Sequence, residues 1–73
     1  MIVVKSSEDF TKRAYELGYS ISALSRAVGY NRSTLSHIVQ GLNGISPKKA
    51  KLVTEMLGAE FSELFMIVEK RRG

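Results

Sequence analysis

Glycines at positions 18, 29, 41 and 58 each follow a stretch whose apolar residues recur at helical spacing. Segments that short cannot form long bundle helices, so the chain must fold as several brief helices sharing one core. The residues opening each segment support this reading. Ser6 with Asp9 makes a capping-box-like start, and Glu8 and Asp9 suit the positive end of a helix dipole. Phe10, Ala14 and Leu17 then form one apolar stripe, which predicts a first helix over 7–17 closed by Gly18.

Ser20 caps a second helix with Leu24, Ala27 and Val28 inward and Gly29 at its end. Asn31 caps a third, with Leu35, Ile38 and Val39 inward and Gly41 closing it. The stretch "LNGIS" reads as a loop. Ser46 caps a fourth helix whose first residue is Pro47, where a missing N–H costs nothing. Its core-facing residues are predicted to be Leu52, Val53, Met56 and Leu57, with Gly58 as the stop, and "EFSELF" predicts a short fifth helix. Only "GY" separates the second helix from the cap of the third, and two short helices joined by a glycine-containing turn make a helix-turn-helix over about 20–40.

A chain of 73 residues is one small domain, here 1–73, with a basic tail over about 69–73. It has no cysteine and one histidine, so neither disulfides nor a metal cluster staple it. No apolar run approaches the roughly 18 residues of a membrane span, and "MIVVKSS" is too short for a signal peptide. These features predict a soluble, cytoplasmic protein with no cofactor and no membrane partner. The net charge is +4, but its distribution says more. The seven acids are Glu8, Asp9, Glu16, Glu55, Glu60, Glu63 and Glu69. From Leu17 through Thr54 there is none, while Arg26, Arg32, Lys48, Lys49 and Lys51 fall inside that span. The centre of the chain is uniformly positive and suits an anionic partner.

The stretch "SISALSRAVGYNRSTLSHIVQG" resembles the Xre or phage Cro/repressor-like helix-turn-helix family. A small residue stands four before the turn glycine, here Ser25 and Gly29, and Leu24, Val28, Leu35 and Ile38 occupy the flanking apolar places. "LG" before "FSELF" also looks like that family's fourth-to-fifth helix junction, and the resemblance covers about 7–66. Two positions depart from it. The glutamine often found first in the second helix, which reaches a phosphate, is Ile21 here, so Ser20, Ser22 or backbone N–H groups would have to replace it. The usual small-position alanine is Ser25, which fits if its hydroxyl bonds back to the helix backbone.

The resemblance implies an all-α, five-helix, lambda-repressor-like domain that binds double-stranded DNA. It further implies a prokaryotic or phage transcriptional regulator associated with the nucleoid. With no sensor or activation domain in so small a chain, repression by blocking polymerase at an operator is the simplest mechanism. With Leu35 and Ile38 inward, Arg32, Ser33, Ser36 and His37 fall on the outer face of the third helix. In a recognition helix these are the base-reading residues; Arg32 can place two hydrogen bonds on guanine O6 and N7. Candidate phosphate contacts are Ser20, Ser22, Asn31, Asn43, Lys48 and Lys49, with the backbone at Gly44 beside them. Lys48 and Lys49 stand in the first turn of a helix, where the dipole disfavours cations by about 0.3–1 kcal/mol each, so stability alone does not explain them. A phosphate at that helix start would meet both lysines and free N–H groups.

Enzymatic readings fail on inventory: no cysteine, one histidine, no glycine-rich phosphate loop after a strand. The rival reading is an antitoxin-like or adaptor helix-turn-helix module whose main partner is another protein. It draws on the run Leu64, Phe65, Met66, Ile67 and Val68, which one helix cannot bury against one core. That run and the β-branched "IVV" at residues 2–4 can pair as a short ribbon, within one chain or between two, and the same five residues are the expected contact of a homodimer.

Overall fold

A computed structural model describes residues 1–69; residues 70–73, most of the predicted basic tail, lie outside the described part. The element order is β1 (Ile2–Val4), α1 (Ser7–Glu16), α2 (Ile21–Val28), α3 (Arg32–Val39), α4 (Pro47–Leu57), α5 (Phe61–Leu64) and β2 (Phe65–Ile67). The four predicted caps are in place. Ser6 Oγ accepts from Asp9 N–H at 3.2 Å, Ser20 Oγ from Ala23 at 3.0 Å, Asn31 Oδ1 from Thr34 at 2.7 Å and Ser46 Oγ from Lys49 at 3.3 Å. Each satisfies one donor left open at a helix start, a contribution of about 1 kcal/mol. At α5 Glu60 is the cap, and its own N–H donates to Glu63 Oε1 at 2.9 Å.

The core takes Phe10 and Ala14 from α1, Leu24 and Val28 from α2, and Leu35, Ile38 and Val39 from α3. Ala50, Val53 and Leu57 come from α4, and Leu64, Phe65, Val4 and Ile45 complete it. Phe65 is central: its ring meets Phe10 edge-on at 6.1 Å and Phe61 at 5.4 Å, favourable aromatic separations. Three predicted inward residues lie outside. Leu17 is the C-cap of α1, off the helical path, and it is exposed, while Tyr19 packs on the core in its place. Ala27 is exposed because the buried side of α2 runs through Leu24, Ser25 and Val28. Leu52 is left 37% exposed because Ala50, Val53 and Leu57 set the inward face of α4; Met56 is only partly buried.

The two terminal segments pair within the one chain. β1 and β2 are antiparallel, with Ile2 opposite Ile67, Val3 opposite Met66 and Val4 opposite Phe65. The backbones of Met1 and Val68 extend the pairing by a hydrogen bond of 2.8 Å. On the other side of β1, Ile45 N–H donates to Ile2 O at 2.9 Å. The loop after α3 is thereby tied to the sheet, with Gly44 so close that an added Cβ would stand 3.2 Å from Ile2 O. This placement corrects part of the expected dimer surface. Leu64 and Phe65 are core residues, so of the predicted five only Met66, Ile67 and Val68 remain at the surface, Ile67 most of all at 74% exposed.

Candidate nucleic-acid interface

The α3 helix is held from behind by Leu35, Ile38 and Val39, and its first turn is fixed by the Asn31 cap. At about 100° per residue, Arg32, Ser33, Ser36, His37 and Gln40 then share one strip about 140° wide on the opposite side. These five line a single shallow depression. Arg32, Ser33, His37 and Gln40 are exposed and Ser36 is half-buried. Gln40 Nε2 donates to Ser36 Oγ at 3.2 Å, which occupies one acceptor position of that hydroxyl and leaves its O–H free to donate. Gln40 was not among the predicted residues, although its spacing of three and four from His37 and Ser36 carries the signal.

The predicted phosphate contacts do not line this depression; they stand at the starts of α2, α3 and α4 and in the loop after α3. Ser20 is exposed at the α2 start, and its oxygen serves the Ala23 N–H. Ser22 is half-buried, and its carbonyl accepts the Ser25 hydroxyl at 2.7 Å. That bond supplies the partner that a serine in the core position requires: Ser25 is the buried polar residue of the core, and its hydroxyl bonds back to its own helix. Asn31 is exposed with its side chain committed to the cap, and Asn43 is exposed in the loop tied to β1. Lys48 is exposed in the first turn of α4.

Lys49 behaves differently. It is half-buried, its Nζ donates to Val28 O at 2.5 Å, and the same ammonium lies 5.4 Å from the centre of the Tyr30 ring. A cation at the C-terminal end of α2 is favourably placed against the helix dipole. The premise that stability does not explain this lysine pair therefore fails for Lys49 and stands for Lys48 alone.

The first turns of α2, α3 and α4 hold no acidic residue, whereas that of α1 holds Glu8 and Asp9. Three dipoles thus have no carboxylate of their own first turn at the positive end, and these three helix starts are the nearest in sequence to the α3 strip.

The family model described as helix-turn-helix matches residues 11–64. The chain belongs to the Xre/Cro-like helix-turn-helix family. This is a family of DNA-binding regulators and not of enzymes. In this helix-turn-helix domain α2 and α3 are the motif, and the match also takes in most of α1 together with α4, which packs against α2, and α5, which packs against α4. No curated protein sequence and no solved structure matches the chain with significance. Among the described residues, no helix of the domain is long and apolar enough to cross a membrane.

Proposed function

We propose that this helix-turn-helix domain is a sequence-specific regulator of transcription, of repressor type, that reads the major groove of double-stranded DNA with α3. The observation that carries the reading is the outer strip of α3: five adjacent hydrogen-bonding side chains with no carboxylate, on a helix whose first turn is free of acids. Arg32 stands at the helix start, where a recognition helix meets base edges, and it reads guanine through two hydrogen bonds. Ser33, Ser36 and His37 read neighbouring positions. Ser20, Ser22, Asn31, Asn43 and Lys48 fix the register on the phosphates, which carry no sequence information themselves.

Two copies bind together in this proposal. One short recognition helix reads only a few base pairs, too few to select an operator among roughly 10⁶ or more genomic sites. A two-fold pair doubles the reading and sets the two α3 helices about 34 Å apart, one DNA turn. The contact is assigned to Met66, Ile67 and Val68. Among the described residues the outer edge of β2 has no strand partner, and Met66 and Ile67 are exposed beside it. The same edge is what favours the rival reading, in which a different protein occupies it.

Selection from random duplex DNA, followed by titration of the selected site, tests the proposal. The expected result is a symmetric site bound by two chains, with log K falling against log salt at about −0.9 per neutralised phosphate. Ile67→Asp should lower affinity for that site without unfolding the domain. No enrichment over random sequence, or a flat salt response, refutes base reading. A strictly 1:1 complex that Ile67→Asp does not affect refutes the dimer.

A further inference from the structure

We propose that Lys49 is a positioning residue for the recognition helix: its ammonium latches α4 to the turn of the motif and so sets how α3 leaves that turn. The inference rests on the DNA-reading proposal above for its consequence and on the fold alone for its mechanism. A helix ends with carbonyls that lack intrahelical partners. At the end of α2 the N–H groups of Gly29 and Tyr30 both turn back to Ser25 O, at 3.0 and 2.9 Å. No backbone N–H of the described turn donates to Val28 O. Lys49 Nζ does, from 21 residues away and from the first turn of another helix.

Three neighbours shape the space for it. Gly29 has φ +86°, a left-handed conformation that side chains rarely adopt, and a Cβ added there would stand 2.7 Å from Nζ. The glycine therefore both closes α2 and admits the ammonium. Tyr30 puts its ring face beside the same cation, where the ring quadrupole attracts it. Ser46 Oγ holds the Lys49 backbone N–H, which anchors the root of the side chain at the helix start. Asn31, the cap of α3, follows Tyr30 directly, and Arg32 follows Asn31. One side chain thus touches the last carbonyl of α2 and the last residue before the cap of α3. A change of angle in that turn moves Arg32 relative to the base edges while leaving the number of phosphate contacts unaltered.

Lys48 supplies the contrast: the same residue type one position earlier, exposed, with its dipole cost unexplained by the fold. The two should differ in kind when removed. Lys49→Met keeps the apolar stem and deletes the donor and the charge. It should lower affinity for the selected operator by about tenfold, the scale of one charge-assisted hydrogen bond. Affinity for random duplex should barely change, the salt slope should be unchanged, and Lys49→Arg should restore specific binding. Lys48→Ala should weaken both kinds of DNA alike and make the slope shallower by about 0.9.

In the DNA-free protein, Lys49→Met should also shift the amide resonances of Gly29, Tyr30 and Asn31 and speed hydrogen exchange at Gly29 and Tyr30. This arm is independent of DNA: if the wild-type chain binds no duplex, the reading of function fails while the amides still decide whether the latch exists. Unmoved amides at 29–31 overturn the latch. A Lys49→Met variant that loses specific and random binding equally, with a slope shallower by about 0.9, shows a phosphate ligand instead and also overturns the proposal. If Lys49→Met does not fold, Tyr30→Leu, which keeps the lysine but removes the ring, must still shift the amides of Gly29 and Asn31 and lower the ratio of specific to random binding.

Discussion

The helices α1 and α3 are built alike and dressed differently. Each is opened by a side-chain oxygen that accepts the N–H three residues on, Ser6 for Asp9 and Asn31 for Thr34. Each buries one stripe in the same core, Phe10 and Ala14 from the first, Leu35, Ile38 and Val39 from the second. In α1 the first turn then carries Glu8 and Asp9, and near its end Arg13 donates to Leu57 O and Gly58 O at 3.0 and 2.8 Å, closing α4. Every charge named there has a structural use. The α3 helix forgoes the acids, each of which would stabilise its start by about 0.3–1 kcal/mol, and puts Arg32 in the first turn instead. Stability explains the outside of α1, and it does not explain the outside of α3.

The largest effect should come from the buried side of the stability helix. Phe10 is buried against Phe65, and Phe10→Ala should cost about 3–5 kcal/mol. A single core in a domain this small rarely supplies more than about 3–5 kcal/mol, so the variant should be substantially unfolded even without urea at room temperature. A Phe10→Ala variant that folds normally would show that α1 is not the support assumed in the comparison.

Next in size is the exposed side of α3. Arg32→Ala should leave the unfolding free energy within about 0.5 kcal/mol of wild type in urea titrations, since the side chain is exposed. It should cost roughly 1–3 kcal/mol on the selected operator, relax preference at one base position, and change random-duplex binding little. Loss of stability instead of specificity would place Arg32 with the structural cations, beside Arg13 and Lys49.

How much of this could be read in advance divides along the same line. Caps and stops were legible because their physics is local: a serine or asparagine, three residues, and a glycine fix a helix boundary. The bond from Ser25 to Ser22 O is local too, and it was anticipated as a condition. What depends on how helices cross was not. Ala27 and Leu52 each sit one step off the buried stripe, and in helices of 8 and 11 residues a stripe can be drawn through several neighbouring sets, whereas Leu17 continues the stripe of α1 but falls just past its last residue. Leu64 and Phe65 read as surface residues because a five-residue apolar run does not reveal that the chain changes from helix to strand inside it. The apolar runs at 2–4 and 64–68 are compatible with pairing within one chain or between two; the register with Ile67 opposite Ile2 closes it within one. Lys49 reads as a phosphate contact in the sequence because its partner, Val28 O, lies 21 residues away, a contact that no periodicity carries.

The smallest expected energy gives the most discriminating test, because a first-turn carboxylate should stabilise both helices but oppose DNA binding only at α3. Glu8 and Ser33 are both exposed first-turn residues of their helices, so each can be changed without disturbing the core. Glu8→Gln removes an acid from the α1 dipole and should destabilise the domain by about 0.3–1 kcal/mol, with no effect on DNA. Ser33→Glu adds one to α3 and should stabilise the domain by a similar amount, about 0.3–1 kcal/mol at low salt. The same glutamate would face phosphates and the acceptor-rich edge of guanine, so operator affinity should fall by more than tenfold even as the urea midpoint rises. If α3 were an ordinary solvated helix, Ser33→Glu would be a plain improvement, with a higher midpoint and nothing lost in binding. A more stable protein that no longer binds its operator is the result that ties the missing acids to DNA.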